Sequence, residues 1–237
     1  MGYSLIDTAE IKEISIDGKI YDLKQFLQFN NTIQKNKLII GEGPDDLYFF
    51  SYYLKFLEIK NIEVRYIGGK FGFNNLSLYI KTLNNFNLLE SFAIVCDADD
   101  NLAEEEFNRL NEVINEINTK DPVPGMNLIF PNDINSFSNG TPKIGVFIFP
   151  DNKNKGMLED LFLSCVNDKP GMKCVNPFMD CVFKLENPPR IRSKAEALAY
   201  LATQKETRRG VGGAARKGIW EFKSNELNGV KAFIESL

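Results

Sequence analysis

Histidine is absent from all 237 residues. That absence excludes imidazole acid/base chemistry, Ser-His and Cys-His nucleophile pairs, and His-ligated zinc or iron. Any catalysis must run on carboxylates, lysine, tyrosine or cysteine. Cysteine is scarce: Cys96, Cys165, Cys174 and Cys181 fit no C-x-x-C metal or redox spacing and read as buried, inert thiols of a reducing compartment. No stretch approaches the ~18 uninterrupted apolar residues of a membrane span. Met1 to Ile11 carries acidic residues where a leader has a basic region followed by an apolar one. The expectation is a cytoplasmic protein with no membrane partner. Repeats and low-complexity linkers are missing too, which favours one domain over residues 1–237.

What is present has the make-up of an ordinary globular chain, 43% hydrophobic and 25% charged, with a net charge of −4. The charge is unevenly placed. From Arg190 to Lys217 stand eight basic residues (Arg190, Arg192, Lys194, Lys205, Arg208, Arg209, Arg216, Lys217) and two acids, a net of +6, so the remainder carries about −10. That segment is the candidate phosphate-contacting surface.

Periodicity orders the chain. Leu38-Ile39-Ile40, Ile62 to Ile67, Phe92 to Cys96 and Ile144 to Phe149 read as strands, nearly continuous in apolar character as buried parallel strands are. A further strand is read at Leu128-Ile129-Phe130, and a hairpin at Ile14 to Leu23 around Asp17-Gly18. Helices are read at Leu47–Leu57, Leu76–Leu83, Asn101–Asn118, Met157–Val166, Ala195–Gln204 and Asn225–Ser236. Strands alternating with helices predict an α/β fold with a central, mostly parallel sheet flanked by helices. Residues 1–36 are read as an N-terminal extension, 37–166 as the core and 167–237 as a helical C-terminal elaboration with the basic segment.

In such a sheet, ligands bind outside the carboxyl ends of the strands, and the residues there are acidic. One strand delivers Glu42 in Glu42-Gly43-Pro44-Asp45-Asp46. Another delivers Asp97-Ala98-Asp99, whose two aspartates share a side if the chain stays extended. The last delivers Asp151, followed by Glu159 and Asp160 opening a helix. Each piece has a plainer reading: a turn residue, helix N-terminal acids, a common Asp-x-Asp. Taken together, oxygen donors without histidine suit the hard ions Mg2+ or Mn2+, which relieve carboxylate repulsion and activate water for phosphodiester chemistry. Glu104, Glu105, Glu106, Glu112 and Glu116 read as a solvated helix face. Gly210-Val211-Gly212-Gly213 reads as a flexible loop, and the aromatics Tyr48, Phe49, Phe50, Tyr52 and Tyr53 as core and surface edge rather than a base-stacking platform.

Leu38-Ile39-Ile40-Gly41-Glu42-Gly43-Pro44-Asp45-Asp46 with Ile94-Val95-Cys96-Asp97-Ala98-Asp99 resembles the Toprim domain of topoisomerases, DnaG-type primases, small nucleases and the OLD nucleases. Phe149-Pro150-Asp151-Asn152, Gly156-Met157-Leu158-Glu159-Asp160 and Ala214-Ala215-Arg216-Lys217-Gly218-Ile219-Trp220 look like small stand-alone bacterial Toprim-like proteins. The resemblance implies a Rossmann-like fold, with Glu42 as acid/base or metal ligand and Asp97 and Asp99 as the metal pair. Likeness to the OLD nucleases adds Asp46, Leu158-Glu159 and a charge-stabilising lysine, Lys194 with Lys217 behind it. No OLD-type ATPase, primase zinc region or topoisomerase tyrosine domain is legible. The expected function is Mg2+- or Mn2+-dependent nuclease or phosphodiesterase action on DNA or RNA. In that reading Glu42 and Lys194 are catalytic, Glu42, Asp46, Asp97, Asp99, Glu159 and Asp160 hold the metal, and Arg190, Arg192, Arg208, Arg209, Arg216 and Lys217 hold nucleic acid. Two alternatives stay open: hydrolysis or phosphotransfer on a nucleotide or small phosphate, and a non-catalytic metal-bound module binding nucleic acid or protein. A homo-oligomer or protein partner is compatible with all three.

Overall fold

The computed structural model describes residues 31–206 and 210–237, together with the strand residues 13–16 and 19–22. β1 (Glu13–Ile16) and β2 (Lys19–Asp22) pair antiparallel with Ile16 opposite Lys19, the expected hairpin; its turn, Asp17-Gly18, lies outside the described residues.

The apolar runs become β3 (Lys37–Gly41), β4 (Ile62–Tyr66), β5 (Ser91–Asp97) and β6 (Lys143–Phe149). They form one sheet in the order β4-β3-β5-β6, with every neighbouring pair parallel. Both faces are buried, which is why the runs show no polar alternation. Ile39, Val64, Ala93, Val95, Phe147 and Phe149 enter one core, and Leu38, Ile40, Phe92, Ile94, Cys96, Ile144, Val146 and Ile148 the other.

Helices cover each face. α1 (Pro44–Phe56) and α4 (Leu158–Val166) lie on the first, α2 (Leu76–Thr82) and α3 (Ala103–Lys120) on the second. Four more helices follow, all packed on the first face: α5 (Met172–Val182), α6 (Arg192–Ala202), α7 (Val211–Arg216) and α8 (Asn228–Ser236). Phe49, Phe50 and Tyr53 of α1 are buried there. Phe49 stacks obliquely on Trp220 with centroids 4.5 Å apart, so these three aromatics are core, while Tyr48 and Tyr52 are half-buried at its edge. No helix among the described residues is long and apolar enough to cross a membrane.

Three expectations need correction, and one helix goes beyond them. Leu128-Ile129-Phe130 is not a strand, because the Asn118 side chain takes the place of a strand partner: its Nδ2 donates to Leu128 O at 2.7 Å and its Oδ1 accepts from Leu128 N at 2.9 Å. Gly210-Val211-Gly212-Gly213 is not a flexible loop but the entry to α7, anchored where Trp220 Nε1 donates to Val211 O at 2.7 Å. α5 was unread, although Met172, Val175 and Met179 recur at helical spacing; Pro177 inside it masks the pattern. Cys96 and Cys165 are buried as expected, whereas Cys174 and Cys181 are exposed on α5, and all four are free thiols.

Candidate functional site

The chain runs from β3 outward to β4 and then back across to β5, so the strand order reverses between β3 and β5. A crevice opens at such a switch point, at the carboxyl ends of the two strands. Glu42 directly follows β3, and Asp97 ends β5. Glu42 Oε2 accepts the Asp97 N–H at 3.4 Å, and Asp97 Oδ1 accepts the Leu158 N–H at 2.9 Å, linking β3, β5 and the start of α4.

The two helices entering the site open alike. Asp46 Oδ2 accepts the Gly43 N–H at 2.7 Å and Asp160 Oδ2 accepts the Met157 N–H at 2.8 Å, so in each the third helical residue reaches back to satisfy the N-cap N–H. Gly41 is required beneath Asp46, since a Cβ there would lie 2.5 Å from Asp46 Cβ. A cleft of about 700 Å³ is lined by Glu42, Asp45, Asp46, Asp97 and Glu159, with Lys194, Arg216 and Lys217 also on its wall.

Burial and crowding lift the carboxyl pKa values. Asp46 is pushed up to about 8, by burial first and then by Glu42 and Asp45. Asp97 is raised well above the usual range by burial and by Asp46, Glu42 and Glu159. Burial also raises Glu42, with Asp99 adding to it and the Asp97 N–H and Lys70 opposing. Glu159 is raised by burial against the opposing charge of Lys194. These are acids waiting for a counter-charge.

The other expected residues are placed as follows. Asp99 does not continue the strand: its φ is +57°, and its carboxylate pairs with Lys70 Nζ at 3.0 Å. Lys217 lies on the cleft wall while pairing with Glu206 at 3.0 Å. Arg192 pairs with Asp180 and Glu196 and lies over the Phe183 ring, away from the cleft lining. Arg190 is exposed and likewise not on that lining. Arg208 and Arg209 lie outside the described residues. Asp151 is not part of the cluster; it is an exposed turn acid accepting the Lys153 and Asn154 N–H groups at 3.1 and 2.8 Å.

Two residues were missed or misread. Asp45 lines the cleft, accepts the Gly212 N–H at 3.0 Å and feels the charge of Lys194; its place three residues after Glu42 is the available signal. Glu106 is not on a solvated face but fully buried, with Arg109 Nε at 2.7 Å and Lys70 at 3.1 Å as an ion pair. Glu104, Glu105, Glu112 and Glu116 are exposed as expected.

Residues 36–237 match the family model described as protein of unknown function (DUF3226). The chain belongs to that family. A comparison with curated proteins gives no match. Among solved structures, this DUF3226 chain is similar to the C-terminal region of the Burkholderia pseudomallei OLD protein at 14% identity and a TM-score of 0.45, over 86% of this chain and 97% of that one. The C-terminal region of the Xanthomonas campestris pv. campestris OLD protein is similar at 14% identity and a TM-score of 0.34, over 88% and 87%.

Among the described residues, no three potential ligands converge closely enough to hold a metal as they stand. Carboxylate oxygens of Glu42, Asp46, Asp97 and Asp160 are turned to backbone N–H groups, and Asp99 to Lys70. The fit to a divalent ion is one of charge and donor type. Buried carboxylates that repel one another, with oxygen donors only, suit a hard cation.

Proposed function

We propose that this DUF3226 protein is a Mg2+- or Mn2+-dependent phosphodiester hydrolase acting on nucleic acid. The observation that carries this reading is the gathering of Glu42, Asp46, Asp97 and Glu159 at the switch point, with carboxyl pKa values raised by burial and mutual repulsion. The Toprim resemblance of Glu42 and Asp97-Ala98-Asp99 supports it independently.

Glu42, Asp46 and Asp97 would hold the ion, with Glu159 beside them. A divalent ion bound there would neutralise phosphate charge and acidify a coordinated water. Glu42 would accept the proton of the attacking water through the carboxylate oxygen not engaged with the ion. Lys194, whose charge acts on both Asp45 and Glu159, offsets the charge developing on the scissile phosphate. Arg216 and Lys217, on the same cleft wall, contact flanking phosphates.

The test is cleavage of DNA and RNA by the full chain with Mn2+ or Mg2+. Glu42→Gln and Asp97→Asn are each expected to lower the rate by about 100-fold or more; either variant keeping wild-type activity sinks the reading. One observation favours a second substrate class: a cleft of about 700 Å³ has the size of a small-molecule site. Saturable turnover of nucleotides with intact polynucleotide is the result that selects it.

A further inference from the structure

Asp97 lines the cleft together with Glu42, Asp46 and Glu159, whereas Asp99, two residues further on, is not among the residues that line it. The backbone makes the division. With φ at +57°, Asp99 turns out of the line of β5 and is held by reciprocal bonds to Gly156, Asp99 N–H to Gly156 O at 2.8 Å and Gly156 N–H to Asp99 O at 2.9 Å.

The Asp99 side already contains a cation. Lys70 Nζ stands 3.0 Å from Asp99 Oδ2 and 3.1 Å from Glu106 Oε2, and the Glu106 side chain is 0% exposed. Lys70 begins the 3-10 turn Lys70–Asn75 directly after Gly69. The Gly68 and Gly69 N–H groups grip the Glu42 carbonyl at 3.2 and 2.7 Å, so its backbone is tied to the same centre. Arg109 also binds Glu106, Nε to Oε1 at 2.7 Å, so the buried acid keeps a partner whatever Lys70 does.

We infer that Lys70 is a resident cation of the acidic centre: it neutralises Asp99, competes with divalent ions for that carboxylate, and restricts the centre to one divalent ion on the Asp46–Asp97 side. The inference rests on the proposed function and deepens it. The Lys70 ammonium is desolvated once, on folding, and cannot diffuse away, so a second free ion must displace it against the hold of Glu106. The paired carboxylates Asp97 and Asp99 then have different tasks, metal holding for the first and lysine positioning for the second.

Calorimetric titration of Mn2+ into the full chain tests this, with thermal melting as the check of folding. The wild type is expected to bind one Mn2+. Asp99→Asn should change its Kd by no more than about threefold and Asp97→Asn should abolish binding. Lys70→Met should add a second Mn2+ or tighten binding about tenfold, and Lys70→Arg should behave as wild type. A folded Lys70→Met that binds as wild type overturns the inference and leaves the proposed function standing. Loss of binding in Asp99→Asn does the same, and decides the matter even where Lys70→Met does not fold. If neither the wild type nor Lys70→Met binds Mn2+, the proposed metal-dependent function fails and this inference with it.

Discussion

Asp46 has two tasks that pull its proton affinity in opposite directions. As the capping residue of α1 it accepts the Gly43 N–H, which favours the carboxylate. As a fully enclosed acid beside Glu42 and Asp45 it is pushed up to about 8. Burial and repulsion win. The folded, metal-free protein therefore holds a proton at Asp46 that the unfolded chain, with the ordinary value of 3.8, releases earlier. Stability from this group is present at low pH and lost as pH rises from near 4 towards 8, with a slope of up to about 1.4 kcal/mol per pH unit. Thermal melts in chelator between pH 5 and 8 should show wild-type stability falling across that window. Asp46→Asn, which keeps a carbonyl acceptor for Gly43, should flatten the slope; an unchanged slope would rule out Asp46 as its source. Glu42 and Asp97 were legible in the sequence, because each closes an apolar run; Asp46, which opens a helix, reads from the residues alone as a helix N-terminal acid and joins the site only through the resemblance to the OLD nucleases. That Asp99 belongs to Lys70 was not legible, because a left-handed φ at a non-glycine residue leaves no mark in composition.

At the scale of elements, the contact that shapes one wall of the cleft is α1 against α7. Gly212 sits directly on Asp45: a Cβ there would lie 2.6 Å from Asp45 Cα and 2.8 Å from its carbonyl oxygen. These are backbone atoms of a packed helix and cannot step aside. Gly212→Ala should cost about 1–3 kcal/mol in chemical denaturation, whereas Gly229→Ala, with nothing within 4 Å of the added carbon, should cost little. A Gly212→Ala variant as stable as wild type would contradict the close approach. The two glycines look alike in sequence. Only the partner helix distinguishes them, which is also why Gly210 to Gly213 reads as loop when the helix it meets lies 167 residues away. The sheet edges tell a similar story. Glu63 and Arg65 of the edge strand β4 are buried because Gln34 N–H binds Glu63 Oε2 at 2.7 Å and Arg65 Nη2 reaches Thr32 O at 3.1 Å.

At the scale of the whole molecule, residues 167–237 share a hydrophobic core with the sheet of residues 37–166. α5 to α8 and Trp220 complete the first face of the sheet. The last helix buries Val230, Phe233 and Ile234 with the terminal Leu237, whose carbonyl accepts the Ser91 hydroxyl at 2.7 Å. Burying four such side chains contributes roughly 6–12 kcal/mol by transfer arithmetic, comparable to the ~5–15 kcal/mol stability of a typical protein. Truncation after Leu227 should therefore leave a chain without a cooperative urea transition and with strong binding of a hydrophobic dye. A truncated protein that still unfolds cooperatively near the wild-type midpoint would show this face to be dispensable.

The sequence by itself determined the α/β class, the four strands of the parallel sheet with most of the helices around them, and the acids at the carboxyl ends of the strands. Those properties rest on local signals: apolar runs of strand length, helical spacing, glycine and proline at turns. Tertiary structure decided the rest. The reversal of strand order between β3 and β5 brings Glu42 to Asp97 across 55 residues. The fold around α3 buries Glu106 with Lys70 while its neighbours Glu104 and Glu105 stay in water. It also selects which basic residues of the Arg190–Lys217 segment reach the cleft. Such outcomes depend on contacts between distant segments, where desolvation and charge are set by the partner rather than by the residue, and no window along the chain contains that partner.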